Sequence, residues 1–357
     1  MKWKFLFPGF LVSMTPLAAE PRPISADSEI AWQHEWTSAR LLPRIGSFKR
    51  VSLEDYGTQR VDVVAGYRDR ASATAANVYL FRASPVDVSI WQDRMFTMMA
   101  SDELVGALDK TSVVAASFTP GSGAGKDSGY IVYGAVSGKK ARSTGFALLP
   151  HDGWLIAVRM TSQDMSAADL GEQLTSFVAG VELPRAKVSY PAASAIAECP
   201  RPLSFEGDAP RATFQRQASV VLNVIATNRG KKTDGAPVTS AKAVKWCRDP
   251  SSTTSYGVYR RKEHKNAYLI AFRDGGASAE VGRVRLDPWL DAGGSFWIRF
   301  TDPDRTLNYA PFTSLPSPEE VEAAMQKEEP FSAVLQAPGG GSRTYMASEY
   351  IQGWEKD

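Results

Sequence analysis

The chain runs to 357 residues, of which 43% are hydrophobic and 22% charged, with a formal net charge of +2. That length favours two domains over one, and that composition excludes a disordered polypeptide. Its 28 Gly and 22 Pro suit a sheet-rich chain with many turns.

The first stretch has the layout of a secretory signal. Lys2 and Lys4 precede a short apolar run, Phe5 to Met14, and Pro16-Leu17-Ala18-Ala19 supplies the small residues of a cleavage site. Cleavage is expected after Ala19, with Ala26 the second choice. The run is too short to span a bilayer and contains Pro8, so an anchor is disfavoured. No Cys follows it for a lipoprotein anchor, and no later stretch is long and apolar enough to span. The expectation is an exported protein of the bacterial periplasm or envelope, without a transmembrane segment after cleavage.

After a Pro-containing lead, Trp32 and Trp36 mark a short element before Pro43. Strands are predicted over Phe48 to Tyr56, Val61 to Tyr67 and Asn77 to Arg82. Pro85 then opens a predicted helix through Asp109, with Val88, Trp91, Met95, Met98 and Met99 on one face. Val113 to Thr119 and Tyr130 to Val136 follow as strands around a Gly-rich loop, expected to be a flexible hairpin connection.

The stretch Ser143 to Ser162 organises this half. Phe146 to Leu149 and Trp154 to Met160 read as strands, and Asp152-Gly153 supplies the positive φ of a tight hairpin. Trp154, Ile156, Val158 and Met160 share one apolar face, while Leu155, Ala157, Arg159 and Thr161 form a face that turns polar. A helix follows, with Leu170, Leu174, Phe177 and Val181 on one stripe and Ser166 with Asp169 resembling a capping box. Residues 185–198 are rich in Ala, Ser and Pro and read as a linker.

The layout YLFRASP, the helix around IWQDRM, then GWLIAVRMTS and LTSFVAGVELP resembles a group of exported bacterial proteins of unknown function. In outline, residues 48–184 are also similar to the PsbP/Mog1 type of α+β fold. That resemblance implies a binding or assembly factor rather than an enzyme, and it carries over no functional residue.

In the second half, Ala218 to Ala226 reads as a strand. Tyr256 to Tyr259 and Ala267 to Phe272 read as a hairpin, and Val281 to Leu286 and Ser295 to Phe300 as further strands. Ser317-Pro318-Glu319-Glu320 starts a helix that stops before Pro330. Strands are expected again over Phe331 to Gln336 and Thr344 to Ile351. The fold class is therefore α+β, with two domains that are each a mainly antiparallel sheet carrying helices. Their bounds are 28–184 and 199–357, after a signal at 1–19 and around a linker at 185–198.

Catalytic motifs are sparse. His34, His151 and His264 stand apart, without a second His or a Cys at ligand spacing, so no metal or other cofactor is expected. His151 reads as an exposed turn residue. The loop Thr119 to Gly129 has Pro120 and Asp127 where a phosphate-binding loop needs Gly and Ser or Thr. Ser137-Gly138-Lys139-Lys140 matches a serine–lysine motif, but it falls in a turn. Asp302 and Asp304 in FTDPDR read as turn chemistry.

Cys199 and Cys247 are the only cysteines, and in an exported protein they are expected to form one disulfide inside the second domain. Residues 186–275 carry 15 basic against 7 acidic residues, and 276–357 carry 7 against 13. Within the basic part, Arg260, Arg261, Lys262 and Lys265 form a hairpin tip flanked by Tyr256, Tyr259 and Tyr268. After export such a tip suits an anionic envelope component or another periplasmic protein rather than nucleic acid. The expected role is non-catalytic binding or assembly. The competing role is a hydrolase of an envelope polymer whose site has no linear motif.

Overall fold

The computed structural model describes residues 21–102, 105–138, 140–205, 207–212, 240–261, 264, 266–283, 294–336 and 342–346. The signal-like stretch 1–19, the predicted strand 218–226, and Lys262 and Lys265 lie outside them. The protein is α+β, with two sheet-dominated regions and helices packed against them.

The first sheet is antiparallel. Its strands lie in the order Phe48–Asp55, Asp62–Asp69, Thr74–Arg82, Trp154–Ser162, Ser143–His151, Gly129–Ser137 and Val114–Phe118. The central hairpin forms as expected: His151 pairs with Trp154, and Asp152 and Gly153 both take positive φ, 46° and 88°. Helix α1, Val88–Ala100, covers one face of this sheet, and helix α2, Ala167–Ala179, covers the other.

Coverage on both faces corrects the expected polar face of Trp154–Ser162. Ile156, Val158 and Met160 join the core with Leu170, Leu174 and Phe177 of α2. Leu155 and Ala157, on the opposite face, are equally buried, packed with Trp91 and Met95 of α1 and with Tyr259, Leu269 and Ala271 of the second sheet. Arg159 on that face forms an ion pair with Asp274.

The second sheet opens with a parallel pair, Ala197–Glu198 beside Trp246–Arg248. It continues as an antiparallel meander through Tyr256–Arg261, Ala267–Phe272, Ser278–Arg283, Phe296–Thr301, Arg305–Phe312, Ser332–Gln336 and Ser342–Met346. Helix α3, Pro318–Lys327, starts with the full capping box that Ser317 and Glu320 announce, and it buries Val321 and Ala324 in this sheet's core. The strand Arg305–Phe312 carries no clean strand alternation, because Pro311 and the polar Arg305, Thr306 and Asn308 interrupt it. Cys199 and Cys247 are joined, with Cα atoms 4.8 Å apart and 48 positions apart in sequence.

Helix α1 departs from expectation in two ways. Its N-cap is Asp87, which accepts from Ser89 N, so Pro85 lies in the turn before it. It ends at Ala100, where the Ser101 N–H closes onto the Thr97 and Met98 carbonyls. The helix is wedged between the sheets, and the flank beside the Trp91–Met95 stripe is buried as well. Arg94 is completely buried there. It donates from Nε to Arg273 O at 2.9 Å and from its two terminal nitrogens to Thr253 O and Thr254 O at 3.3 and 2.7 Å. Beside it the Tyr259 hydroxyl donates to Asp93 at 2.6 Å, and Trp246 Nε1 donates to Asp87 at 2.8 Å.

The stretch read as a linker is laid against the first region. Ala186 N, Tyr190 N and Ala193 N donate to the carbonyls of Ser122, Ala124 and Asp127 at 2.8, 2.7 and 2.8 Å. The Gly-rich loop is thus held by hydrogen bonds rather than free. Gly125, at φ 132°, is required there, since a Cβ would lie 2.3 Å from Tyr190 O.

Replacing Arg94 by Met keeps the helix former but strands three carbonyls at the interface between the sheets. Loss of a buried charged donor set costs about 3 kcal/mol. Urea denaturation of Arg94→Met should show that loss, and intrinsic fluorescence and far-UV circular dichroism should no longer give coincident transitions.

Candidate functional site

Helix α2 approaches the sheet closely because Gly171 carries no side chain. A Cβ there would meet the Tyr133 ring at 2.4 Å. Phe177 is gripped edge-on by Phe48 and Tyr67, with ring centroids 5.1 and 5.3 Å away. This anchors the core stripe of the helix. The adjoining stripe, Thr175, Val178 and Ala179, with Val178 half-buried against the edge of the core, forms one wall of a cleft of about 930 Å³.

The floor of the cleft is sheet: Ile131, Ala147 and Leu149. Phe118 to Ser122 and Val181 to Pro184 close its sides. The rim is polar, with Gln33, Ser38 and an exposed ion pair between Arg40 and Glu182 at 2.6 Å. The buried hydroxyl of Ser122 in the wall has no hydrogen-bond partner among the described residues. An apolar body of this size with a few polar groups at its mouth is the usual make-up of a small-molecule site.

A second, smaller cleft of about 260 Å³ lies where the two regions meet. Tyr56, Asp62, Val64, Tyr79, Phe81 and Arg159 come from the first sheet, Met95 from α1, and Asp274 and Gly275 from the turn of the second sheet. Burial, then the nearby carboxylates of Asp304 and Asp55, push the Asp62 pKa up to about 7. Burial also lowers the pKa of Arg159. Asp304 reaches across to accept from Thr58 N at 2.7 Å. This cleft holds the perturbed titratable groups that sequence patterns missed. Asp62, Arg159 and Asp274 are 97 and 115 residues apart in the chain, and only strand pairing and sheet packing bring them together.

The histidines fall differently from expectation in one case. His34 is buried and satisfied, with Nδ1 2.9 Å from Thr37 Oγ1 and Nε2 donating to Arg60 O at 2.8 Å. His151 is not an exposed turn residue: it is fully buried, and neither ring nitrogen has a hydrogen-bond partner among the described residues. The hairpin turn begins only at Asp152, and burial lowers the pKa of the imidazole. Ser137 donates to Ala107 O at 3.3 Å. Asp302 caps its own turn, accepting from Asp304 N and Arg305 N at 2.9 Å each. Among the described residues no cluster of His, Cys, Asp and Glu could hold a metal ion, and no helix is long and apolar enough to cross a membrane.

Of the basic hairpin tip, Arg260 and Arg261 are described, and they face different ways. Arg260 turns in, with Nε 3.1 Å from the carboxylate of Asp249, whose side chain is only 1% exposed. It also donates to Arg201 O. Arg261 is exposed and lies over the Trp246 ring, 5.2 Å from its centroid.

No family model, no curated protein and no solved structure matches this chain.

Two outcomes test the site geometry. A carboxyl whose folded-state pKa is raised is favoured while protonated, so its penalty is absent below about pH 4, grows as pH rises, and is complete above about pH 7. Asp62→Asn should therefore raise the Tm by several degrees at pH 8 and leave it unchanged near pH 4. For the arginines, Arg260→Ala leaves Asp249 buried without its cation and should cost roughly 3 kcal/mol in urea denaturation. Arg261→Ser should stay within about 0.5 kcal/mol of the parent.

Proposed function

We propose that the protein is an exported, non-catalytic binding protein of the bacterial periplasm or envelope, and that it holds an elongated, mainly apolar ligand under α2. The observation that carries this reading is the 930 Å³ cleft walled by Thr175, Val178 and Ala179. Its lining is mostly hydrocarbon, its polar groups sit at the mouth, and its volume suits a lipid-like or other amphipathic small molecule. The signal-like start at Lys2 to Ala19 supports export. The resemblance of residues 48–184 to the PsbP/Mog1 type supports binding rather than catalysis. The apolar floor of Ile131, Ala147 and Leu149 also supports it, since among the described residues no nucleophile and base face each other across the cleft.

A specific observation favours the second reading, hydrolysis of an envelope polymer. Asp62, with a pKa near 7, is poised for general acid–base work beside Arg159 and Tyr56 in the smaller cleft. Its 260 Å³ volume leaves little room for a polymer. The binding reading is therefore preferred.

The test fills the larger cleft. Val178→Trp places an indole into the space beside Ala147 and Leu149 without touching the Phe177 anchor. Binding of a fluorescent fatty-acid probe to the full chain should weaken at least tenfold, with the Tm within about 2 °C of the parent. Undiminished probe binding, or a parent protein that takes up no apolar probe, would count against the cleft as the ligand site.

A further inference from the structure

The second sheet carries a row of side chains that the cleft under α2 does not involve. Trp246 pairs with Arg261, and Gly282 pairs with Ala267 on one side and Trp297 on the other. The register of Tyr259 with Leu269 carries the row across from Arg261 to Ala267. Directly paired residues project from one face of a sheet. Trp246, Arg261, Ala267, Gly282 and Trp297 therefore stand in line across five strands.

The middle of this row is low. Gly282 has no side chain, and a Cβ built on it would lie 3.3 Å from the Ala267 Cβ. Arg261 and Trp297 rise on either side, about 14 Å apart at three strand spacings. The resulting trough holds about 190 Å³, with Glu280 and His264 also at its edge. Its walls are fixed from behind. Trp246 Nε1 is tied to Asp87, and Cys247 beside it is tied to Cys199. The Arg261 guanidinium lies over Trp246, and that of Arg299 lies over Trp297 at 5.9 Å.

This combination is selective in its chemistry. An indole wall takes the C–H face of a flat, saturated ring. A guanidinium takes a carboxylate in its fork. The Glu280 carboxylate, paired between Leu269 and Arg299, accepts only from donors such as hydroxyls. A bare phosphodiester offers no such donor to Glu280. A sugar ring bearing hydroxyls and a carboxylate satisfies all three groups. We propose that this trough binds an acidic glycan, with one pyranose ring against Trp297, its carboxylate on Arg261 and a hydroxyl on Glu280. The site is independent of the cleft under α2, so either could fail without the other.

The test is isothermal titration of the full chain with tetragalacturonate, with cellotetraose as the neutral control. The acidic tetramer should bind at least tenfold more tightly than the neutral one. Trp297→Ala and Arg261→Ser should each weaken it at least tenfold, while Trp297→Phe, which keeps a ring, should recover most of the affinity. Val178→Trp should leave it unchanged. Circular dichroism and Tm establish that each variant is folded. Equal affinity for the two tetramers, or tetragalacturonate binding that survives both Trp297→Ala and Arg261→Ser, would overturn the proposal. So would no binding by the parent, or light scattering that shows a dimer dissolved by Trp297→Ala, which would assign the trough to a second copy of the chain.

Discussion

Arg94 lies between the two sheets with its guanidinium withdrawn from water, and its hydrogen bonds go to the backbone of the second region. A buried cation is tolerable only when its donors are satisfied. Here the satisfying groups are the carbonyls of Thr253, Thr254 and Arg273, which belong to two turns of the second sheet. The first region would expose this charge if the second moved away, and the second would expose three carbonyls. Around this contact the Tyr259–Asp93 and Trp246–Asp87 bonds and the shared apolar cluster of Trp91, Met95, Leu155 and Leu269 assemble. Helix α1 is a shared layer rather than an ornament of one sheet.

That arrangement decides where open space is left. With α1 pressed between the sheets, apolar packing occupies the face of the first sheet toward the second, and the pocket containing Asp62 lies where the two regions meet. On the other face a single helix of 13 residues must cover a broad sheet. Its core stripe does so at Phe177, and its flank leaves a cleft. Of the segments that close the cleft, 118–122 is held through Ser122 O by Ala186 N of the chain leading to the second region, and 181–184 through Glu182 O by Arg40 N.

Buried polar groups mark where packing dominates over solvation. His151 ends a strand whose nine residues are all buried, and that burial holds the imidazole pKa below its ordinary value. Asp62 is held near its proton by burial and by two neighbouring carboxylates. Arg260 shows the opposite resolution, since a charge turned inward is matched by the buried Asp249. Neighbours in sequence, Arg260 and Arg261 differ because strand alternation sends one into the sheet's interior side and the other over Trp246.

The sequence alone determined the α+β class, most strand positions, the hairpin at Asp152-Gly153, the capped start of α3 and the pairing of Cys199 with Cys247. Each of these is written in local pattern or in a count of two: alternation, turn residues, a Ser-Pro-Glu-Glu start, the only two thiols. The tertiary structure decided everything that depends on what lies opposite a residue. Leu155 and Ala157 look like the lesser face of a strand until α1 and the second sheet cover them. Arg94 looks like an ordinary helix-surface residue until two turns bring their carbonyls to it. Asp62, Arg159 and Asp274 carry no spacing that joins them, and the Trp246 to Trp297 row follows from the register of five strands. Local patterns reflect short-range sterics and amphipathicity, whereas burial, charge pairing and clefts arise from contacts between distant segments, for which one sequence holds no local signal.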